Sequence, residues 1–540
     1  MQETSIGDRT NRADAMRRIR HVPQALTVLL ALLALALFLL FVLTSLRRIA
    51  YPFPLEQLEG GMALAVARVA KGLPYYVQPN FNFIPYMYSP AYFYVAGFAA
   101  KLLGTGFFAL RLVSFLSTLG CFAVIYELIF SEGKSHLAAL AGAGLYAAAY
   151  PVTQHWFDLG RVDSLYILLL LLALLATRRL HPVLAGLVWT LAFLAKQTIA
   201  PAALLTLCFD WKHPRRVLLG VGTFLLAAGG STAWLDHATH GWFSYYIFTV
   251  PHANSDLRLH AAAFFWSNAL LAPFGIALVI LVAALLLTGV DWTSKTTHFY
   301  LLAGASLTAL CWFLSAHAGA TANTPMPVYA ILAVAFGIAL ARLFHWLPRL
   351  SAAWSQAGLT LLLLATCTQL ASQFYSPKLS IPSPEVRASQ QQFVDWLRSF
   401  PGDAFVVDHP YAGVLAGKLP HADETAIHDA LRPGLPAINR PLLHEIHRAV
   451  DQESFDAIVL DRMPPHKPSE ARPYDAWLPQ DWQTHYPILG LAPGSGQASP
   501  FGPLPRYVLL SCRASELAAA KDIKILSSSA SVPCPGPHPR

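Results

Sequence analysis

Eleven apolar runs fill most of the first 374 residues, at about 24–46, 110–130, 136–152, 162–177, 182–196, 199–210, 216–236, 264–288, 299–316, 326–344 and 353–374. A soluble core cannot bury so many long runs, so they predict an α-helical polytopic membrane protein with about eleven transmembrane helices. Of the 540 residues, 55% are hydrophobic and only 13% charged, too few to cover these runs in water. The formal charge of +8 is spread over loops at the ends of the runs, which is the pattern of membrane anchoring and not of nucleic-acid binding. Arg17, Arg18 and Arg20 precede the first run. That run is too long for the core of a signal peptide and lacks a small-residue cleavage site, so it reads as a retained span.

The stretch 181–210 decides the topology. It is too long for one span, but as two it makes short helices meeting at Lys196 and Pro201. Arg178 and Arg179 precede it, and Lys212, Arg215 and Arg216 follow it. The positive-inside bias places both groups in the cytoplasm, which requires a hairpin. With the N-terminus inside, the cytoplasmic loops also hold Lys134, Lys295, Arg342 and Arg349. The outer connections are then 47–109, 153–161, the turn at Lys196, 237–263, 317–325 and everything after about 375. Arg47 and Arg48, just outside the first span, run against the bias. Within 47–109, "GGMALAVARVAKG" and "SPAYFYVAGFAAKLLG" are short and amphipathic or moderately apolar, and read as helices at the outer interface.

Four segments follow: a cytoplasmic N-terminal piece (1–23), a transmembrane domain (24–374), an extracytoplasmic domain (375–526) and a Ser/Pro-rich disordered tail (527–540). Pro377, Pro382 and Pro384 mark the linker into the third. There "DAFVVD", "PLLHEIHRAVDQESFDAIVLD" and "RYVLLSC" alternate strand, helix and strand, predicting a small α/β domain. Cys121, Cys208, Cys311 and Cys367 sit in apolar runs as packing residues, while Cys512 and Cys534 could pair. No cysteine spacing resembles a zinc site.

The chemistry lies in polar residues that hydropathy alone would not place beside a span. Glu56, Glu59, Arg111, Asp158, Arg161, Asp163, Lys196, His252, Arg258, His317 and Asn323 all fall on or just beneath the outer face in this topology. Such residues are costly near lipid, and their one-sidedness predicts a polar cavity there. Arg111, Arg161, Lys196 and Arg258 could neutralise a phosphate or pyrophosphate. Glu56 and Glu59 offer carboxylates to deprotonate an acceptor hydroxyl or hold a divalent ion. Each also has a plainer use: Arg111 as a helix-end anchor, Arg161 with Asp163 as a helix-pairing ion pair, the histidines as satisfied structural groups, and Asn323 as a cap.

The order and spacing of these pieces resemble the GT-C integral-membrane glycosyltransferases, especially the aminoarabinose transferases of lipid A and the protein O-mannosyltransferases (glycosyltransferase family 39-like). The resemblance runs from about residue 50 to about 345. It rests on "PLEQLEGGMALAVARVAKGLPY", "YSPAYFYVAGFAAKLLG", "FFALRLVSFLSTLG", "DLGRVDSLYILL", "FLAKQTIAP", "YYIFTVPHANSDLRL" and "AHAGATANTPMPVYAILA". It implies a multi-pass enzyme of the cytoplasmic (inner) membrane. Such an enzyme moves a sugar from a polyprenyl-phosphate carrier to a lipid, glycan or protein acceptor at the outer face. In that reading Glu59 is the acid of the first-loop motif, acting as base or metal ligand, and Asp163 and Lys196 match the acid and lysine of later motifs. Arg258 and His252 resemble the loop that contacts the carrier phosphate. The family commonly has two adjacent acids in the first loop, whereas here Leu58 precedes Glu59 and Glu56 lies three residues earlier, so either could be the base. Metal use is unassigned. A polymerase or ligase acting on pyrophosphate-linked chains would use similar cations. A transporter or flippase would need paired helix breaks at the membrane midplane, and none is evident.

Overall fold

The computed structural model describes residues 4–253, 257–317, 319–431, 435–463, 477–479, 481–495, 505–511, 514 and 523–528. Each of the eleven apolar runs becomes a helix: α1 (Thr4–Ile49), α4 (Phe107–Gly133), α5 (His136–Val152), α6 (Asp163–Arg179), α7 (Pro182–Ala195), α8 (Ala200–Leu207), α9 (Pro214–Ala238), α10 (Ala272–Thr288), α11 (Lys295–Ser315), α12 (Met326–Trp346) and α13 (Ala352–Ala371). The two amphipathic segments of the first long connection form α2 (Glu59–Ala70) and α3 (Ala91–Leu103). Six of the regions are long and apolar enough to cross a membrane unaided: His21–Ile49, Phe107–Gly133, Pro214–Ala238, His260–Thr288, Lys295–Ser315 and Met326–Arg349. The others are shorter or less apolar, and draw support from neighbours.

α12 is the central helix, packed against α4, α5, α10 and α11 and buried on nearly all sides, as an all-round apolar sequence requires. α1 lies against α5 and α13, and α6 leads through α7 to the peripheral α9. α9 and α10 turn Leu218, Leu226, Val279 and Leu286 outward, each at least two-thirds exposed. An apolar surface of that extent fits lipid as its solvent. The molecule is a multi-pass membrane protein.

The hairpin over 181–210 is present. At one end Arg178 pairs with Glu132 at 2.7 Å, and Asp210 holds Lys295 at 3.2 Å and Arg216 at 3.7 Å. At the other end Lys196 pairs with Asp163. The chain therefore crosses from Arg178 to Lys196 and returns to Asp210. α7 has 14 residues. At 1.5 Å per residue that is about 21 Å, shorter than a hydrocarbon core of about 30 Å.

Among its described residues the C-terminal domain carries five strands in the order β1-β2-β4-β3-β5: β1 (Ala404–Val406), β2 (Ala457–Leu460), β3 (Ile488–Leu491), β4 (Tyr507–Leu510) and β5 (Lys524–Ser528). Only β1 and β2 are parallel. Their residues alternate between two cores. Ala404, Val406, Ala457 and Val459 share one with Phe393 and Leu397 of α14 (Pro384–Ser399). Phe405, Ile458 and Leu460 share the other with Leu442 and Ile446 of the following long helix, Pro436–Asp451. The sequence pattern anticipated β1, β2 and β4 but not β3 or β5, and β5 runs to Ser528, two residues into the segment expected to be disordered. The rest of that tail lies outside the described residues, as do Cys512 and Cys534.

This domain sits on the first long connection. Ala422 N donates to Phe81 O at 2.9 Å, Tyr411 Oη donates to Thr105 O at 3.1 Å, and Tyr51 Oη donates to Gln390. The domain thus caps the same end of the bundle as Lys196.

Candidate active site

Two layers of ion pairs lie at that end, and their surroundings differ. In the inner layer Glu59, the first residue of α2, is fully buried. Its Oε1 accepts from Arg111 Nε (2.8 Å) and Gly160 N (2.7 Å), and its Oε2 from Arg111 Nη2 and Leu55 N (both 2.7 Å). Arg111, equally buried in α4, also donates to the carbonyls of Arg48 (3.0 Å), Tyr51 (2.5 Å) and Phe53 (2.6 Å). Residue 160 is glycine because a Cβ there would stand 2.9 Å from Leu110 Cβ and 3.1 Å from Glu59 Oε1. Burial alone would raise the Glu59 pKa, but Arg111 and the two amides hold it below the ordinary glutamate value. Beside this pair Arg48 binds Asp158 at 2.8 Å and donates to Ser380 O at 2.5 Å. Its position against the charge bias is explained: Arg48 is a buried ion-pair partner, not a lipid anchor. Glu59, Arg111 and Asp158 are therefore sealed from solvent, and none of them borders the cavity described next.

The outer layer lines a cavity of about 250 Å³ bordered by Glu56, Arg161, Lys196, His317 and Asn323 together with Tyr88, Trp156 and Thr321. Arg161 Nη1 donates to Glu56 Oε2 at 2.7 Å and Nη2 to Tyr88 Oη at 2.9 Å, while its guanidinium stacks on Trp156 at 4.8 Å. Its Nε is buried without a hydrogen-bond acceptor. The Glu56 side chain keeps 21% of its surface exposed. Its pKa is raised by burial, an effect that Arg161 only partly offsets. Lys196 Nζ donates to Asp163 Oδ1 at 2.8 Å, and Asn323 Nδ2 donates to the same oxygen at 3.0 Å. Thr321 Oγ1 donates to Asn323 Oδ1 at 2.6 Å, which fixes the amide with its nitrogen toward Asp163. Both layers depend on backbone breaks: α6 opens on Asp163 after a short turn at Trp156–Asp158, and the α7–α8 turn presents Lys196.

The structure thus gathers Glu56, Arg161, Lys196, His317 and Asn323 around one opening, with Asp163 directly behind Lys196. Arg258 is exposed, and its backbone N donates to Ala316 O at 2.6 Å, placing it at the rim beside His317. His252 is exposed and does not border the cavity. Tyr88, Trp156 and Thr321 were not singled out from sequence. Aromatics are abundant in "YMYSPAYFY", so nothing there marked Tyr88, whereas Arg48 did carry a signal, its breach of the charge bias. Among the described residues, no group of three or more His, Cys, Asp or Glu side chains is arranged to hold a metal ion.

Residues 87–234, which include Arg161, Asp163 and Lys196, match the family model for dolichyl-phosphate-mannose-protein mannosyltransferase. No curated protein matches the chain in sequence. Among solved structures, ArnT from Cupriavidus metallidurans in the apo state superposes with a TM-score of 0.58 at 14% identity, covering 90% of this chain and 98% of that one. The same protein bound to undecaprenyl phosphate gives a TM-score of 0.55 at 13% identity, covering 88% and 97%. The fold of this chain, a capped multi-pass helical bundle with two short helices in its first long connection, is therefore similar to that of ArnT from Cupriavidus metallidurans.

Proposed function

We propose that the chain transfers a sugar from a polyprenyl-phosphate carrier to an acceptor hydroxyl or phosphate on a lipid, glycan or protein. The reaction takes place at the outer face of the cytoplasmic membrane, with the N-terminus inside and the C-terminal domain outside. The observation that carries this reading is the cavity itself, which sets one partly exposed carboxylate, Glu56, against Arg161 and Lys196. A carboxylate base facing phosphate-binding cations at the capped end of the bundle suits a donor whose lipid tail stays in the bilayer.

In the proposed step Glu56 takes the acceptor proton and the acceptor oxygen bonds to the anomeric carbon. The bond from that carbon to the phosphate oxygen breaks, and the configuration inverts. The electron pair leaves with the phosphate, whose charge is met by Lys196 and by the guanidinium of Arg161, both of which line the cavity. Arg161 now spends one N–H on Glu56. A phosphate arriving at Arg161 weakens that contact and raises the basicity of Glu56 when the donor is in place. Asp163, aligned by Asn323 and Thr321, holds Lys196 at the opening. Glu59 and Arg111 brace the loop that presents Glu56. Arg258 and His317 at the rim contact the donor headgroup.

The purified full chain, given monophosphate-linked and diphosphate-linked polyprenyl sugars in turn, is expected to release polyprenyl monophosphate from the first and leave the second unused. Turnover of the diphosphate donor alone would make the chain a polymerase or ligase instead.

A further inference from the structure

Two hollows adjoin at Arg342, towards the end of the bundle away from the C-terminal domain. One, of about 420 Å³, runs along α10, α11 and α12 from Val328, near the catalytic opening, to Arg342, and is walled by apolar side chains such as Leu278, Leu281, Leu301, Ile331 and Ile338. The other, of about 360 Å³, is bordered by Lys134, Arg342, His345 and Arg349, with Glu132 and Trp346. Arg342 belongs to both. Its Nη2 donates to Gly289 O at 3.1 Å, just past the end of α10, which holds the guanidinium at the junction. Lys134, Arg342 and Arg349 have no ion-pair partner among the described residues. Of the carboxylates nearby, Glu132 is engaged by Arg178 at 2.7 Å, and Asp291, which lies within electrostatic reach of Arg342, accepts from Thr293 N and Oγ1. His345 is turned back on Ala341 O at 2.7 Å.

Cations at the ends of α4 and α12 would favour the helix dipoles in any case. What the dipoles do not account for is an open apolar slot running from those cations into the bilayer. We propose that the two hollows form one site for an anionic phospholipid of the cytoplasmic leaflet. An acyl chain lies in the slot between α10, α11 and α12, and the phosphate lies against Arg342, Lys134 and Arg349. A carrier phosphate is a poor occupant of the Arg342 end. Met326, the first residue of α12 and close to the catalytic opening, and Arg342 are 16 positions apart, about 24 Å along the helix, so a carrier phosphate held at Arg342 would be far from Arg161 and Lys196.

The test uses the full chain in neutral detergent, titrated with phosphatidylglycerol, phosphatidylcholine, polyprenyl phosphate and inorganic phosphate while thermal unfolding is followed. Polyprenyl phosphate, held at the catalytic cavity, should raise Tm alike in the parent and in Gly304→Phe, and phosphatidylcholine and inorganic phosphate should have little effect, whereas phosphatidylglycerol is expected to raise Tm saturably. Arg342→Ala should weaken that response about tenfold or more. Gly304→Phe blocks the slot from the other side: Gly304 borders it, and a Cβ there meets nothing within 4 Å, so the bulk enters open space. This variant should fold and lose the phosphatidylglycerol response. An equal response to phosphatidylcholine, a response to polyprenyl phosphate that Gly304→Phe removes, saturation by inorganic phosphate, or an undiminished response in Gly304→Phe would each overturn the proposal.

Discussion

The Glu59–Arg111 and Glu56–Arg161 pairs have the same chemistry and the same 2.7 Å contact, yet they do opposite things to the space around them. Glu59 has both oxygens filled by four donors and no surface left. Glu56 has one oxygen on Arg161 and the Leu58 amide and the other side open to the cavity. A closed pair stabilises one arrangement of the chain, because removing either partner strands a buried charge. An open pair is poised for exchange, because a substrate can replace one partner without leaving the other unsatisfied. Distance therefore does not distinguish a brace from a reactive group, whereas the count of filled acceptor sites does.

The sharpest way to break this distinction is to neutralise each acid in turn. Glu56→Gln should lose about 10²–10⁴ in kcat, the usual worth of a general base, with a stability cost smaller than that of Glu59→Gln because Glu56 is part-exposed to the cavity. Glu59→Gln should instead cost about 3–5 kcal/mol of stability, seen as reduced yield and an early thermal transition, because Arg111 loses its counter-charge. Any Glu59→Gln protein that remains folded should retain most of its transfer rate per molecule. If Glu59→Gln folded normally and lost transfer as selectively as Glu56→Gln, the roles would be reversed.

This distinction is also where the sequence stopped being legible. Apolar runs and flanking cations fixed the helix count, the hairpin over 181–210 and the gathering of Arg161, Lys196, His317 and Asn323 at one end, because burial in lipid leaves little freedom in where such residues go. The choice between Glu56 and Glu59 could not be read that way. They are three residues apart in one loop, and which of them turns inward depends on Gly160 and Arg111, each from a distant part of the chain. β3 and β5 were missed for a related reason. Their pairing spans long separations, and the short strand Ile488–Leu491 has no turn signal tying it to a neighbour.

Lys196 gives a finer test of the open layer. Lys196→Met should lower kcat/KM for the donor about 10–100-fold, the value of one charge-assisted contact, and also strand Asp163. The two effects separate in the double variant Lys196→Met with Asp163→Asn, which should regain stability but not transfer. Lys196→Arg, keeping the charge, should recover part of the rate. Recovery of transfer in the double variant would make Lys196–Asp163 another brace, and would leave Glu56–Arg161 as the only open pair of the two.

The smallest expected effect lies where the C-terminal domain meets the first long connection. Asp423 is buried there, capping the helix Glu424–Ala430 by accepting from Thr425 N at 2.9 Å, with the Tyr86 hydroxyl beside it. Gly61 makes room for that tyrosine, since a Cβ at 61 would overlap Tyr86 Oη. Burial first, then Asp408 and Glu424, pushes Asp423 up to about 8. A carboxyl that binds its proton more tightly folded than unfolded contributes stability that is complete below about pH 4 and is lost as pH rises towards 8. Asp408, raised to about 6, and His409, also raised, act in the same sense, while the lowered His421 acts in the opposite one. Asp423→Asn keeps the cap and removes the titration. It should therefore gain about 1 kcal/mol or more at pH 8, a Tm rise of a few degrees, and progressively less as pH falls towards 4. Hydrogen exchange at the amides of Ala422 and Glu424, which bridge to Phe81 and Val407, is the local readout. Exchange slowed in the variant more at pH 8 than at pH 5 would make the domain contact a closed layer in which an unpaired charge is costly. Equal exchange at both pH values would show that Asp423 stays ionised and that this contact behaves like the open pairs.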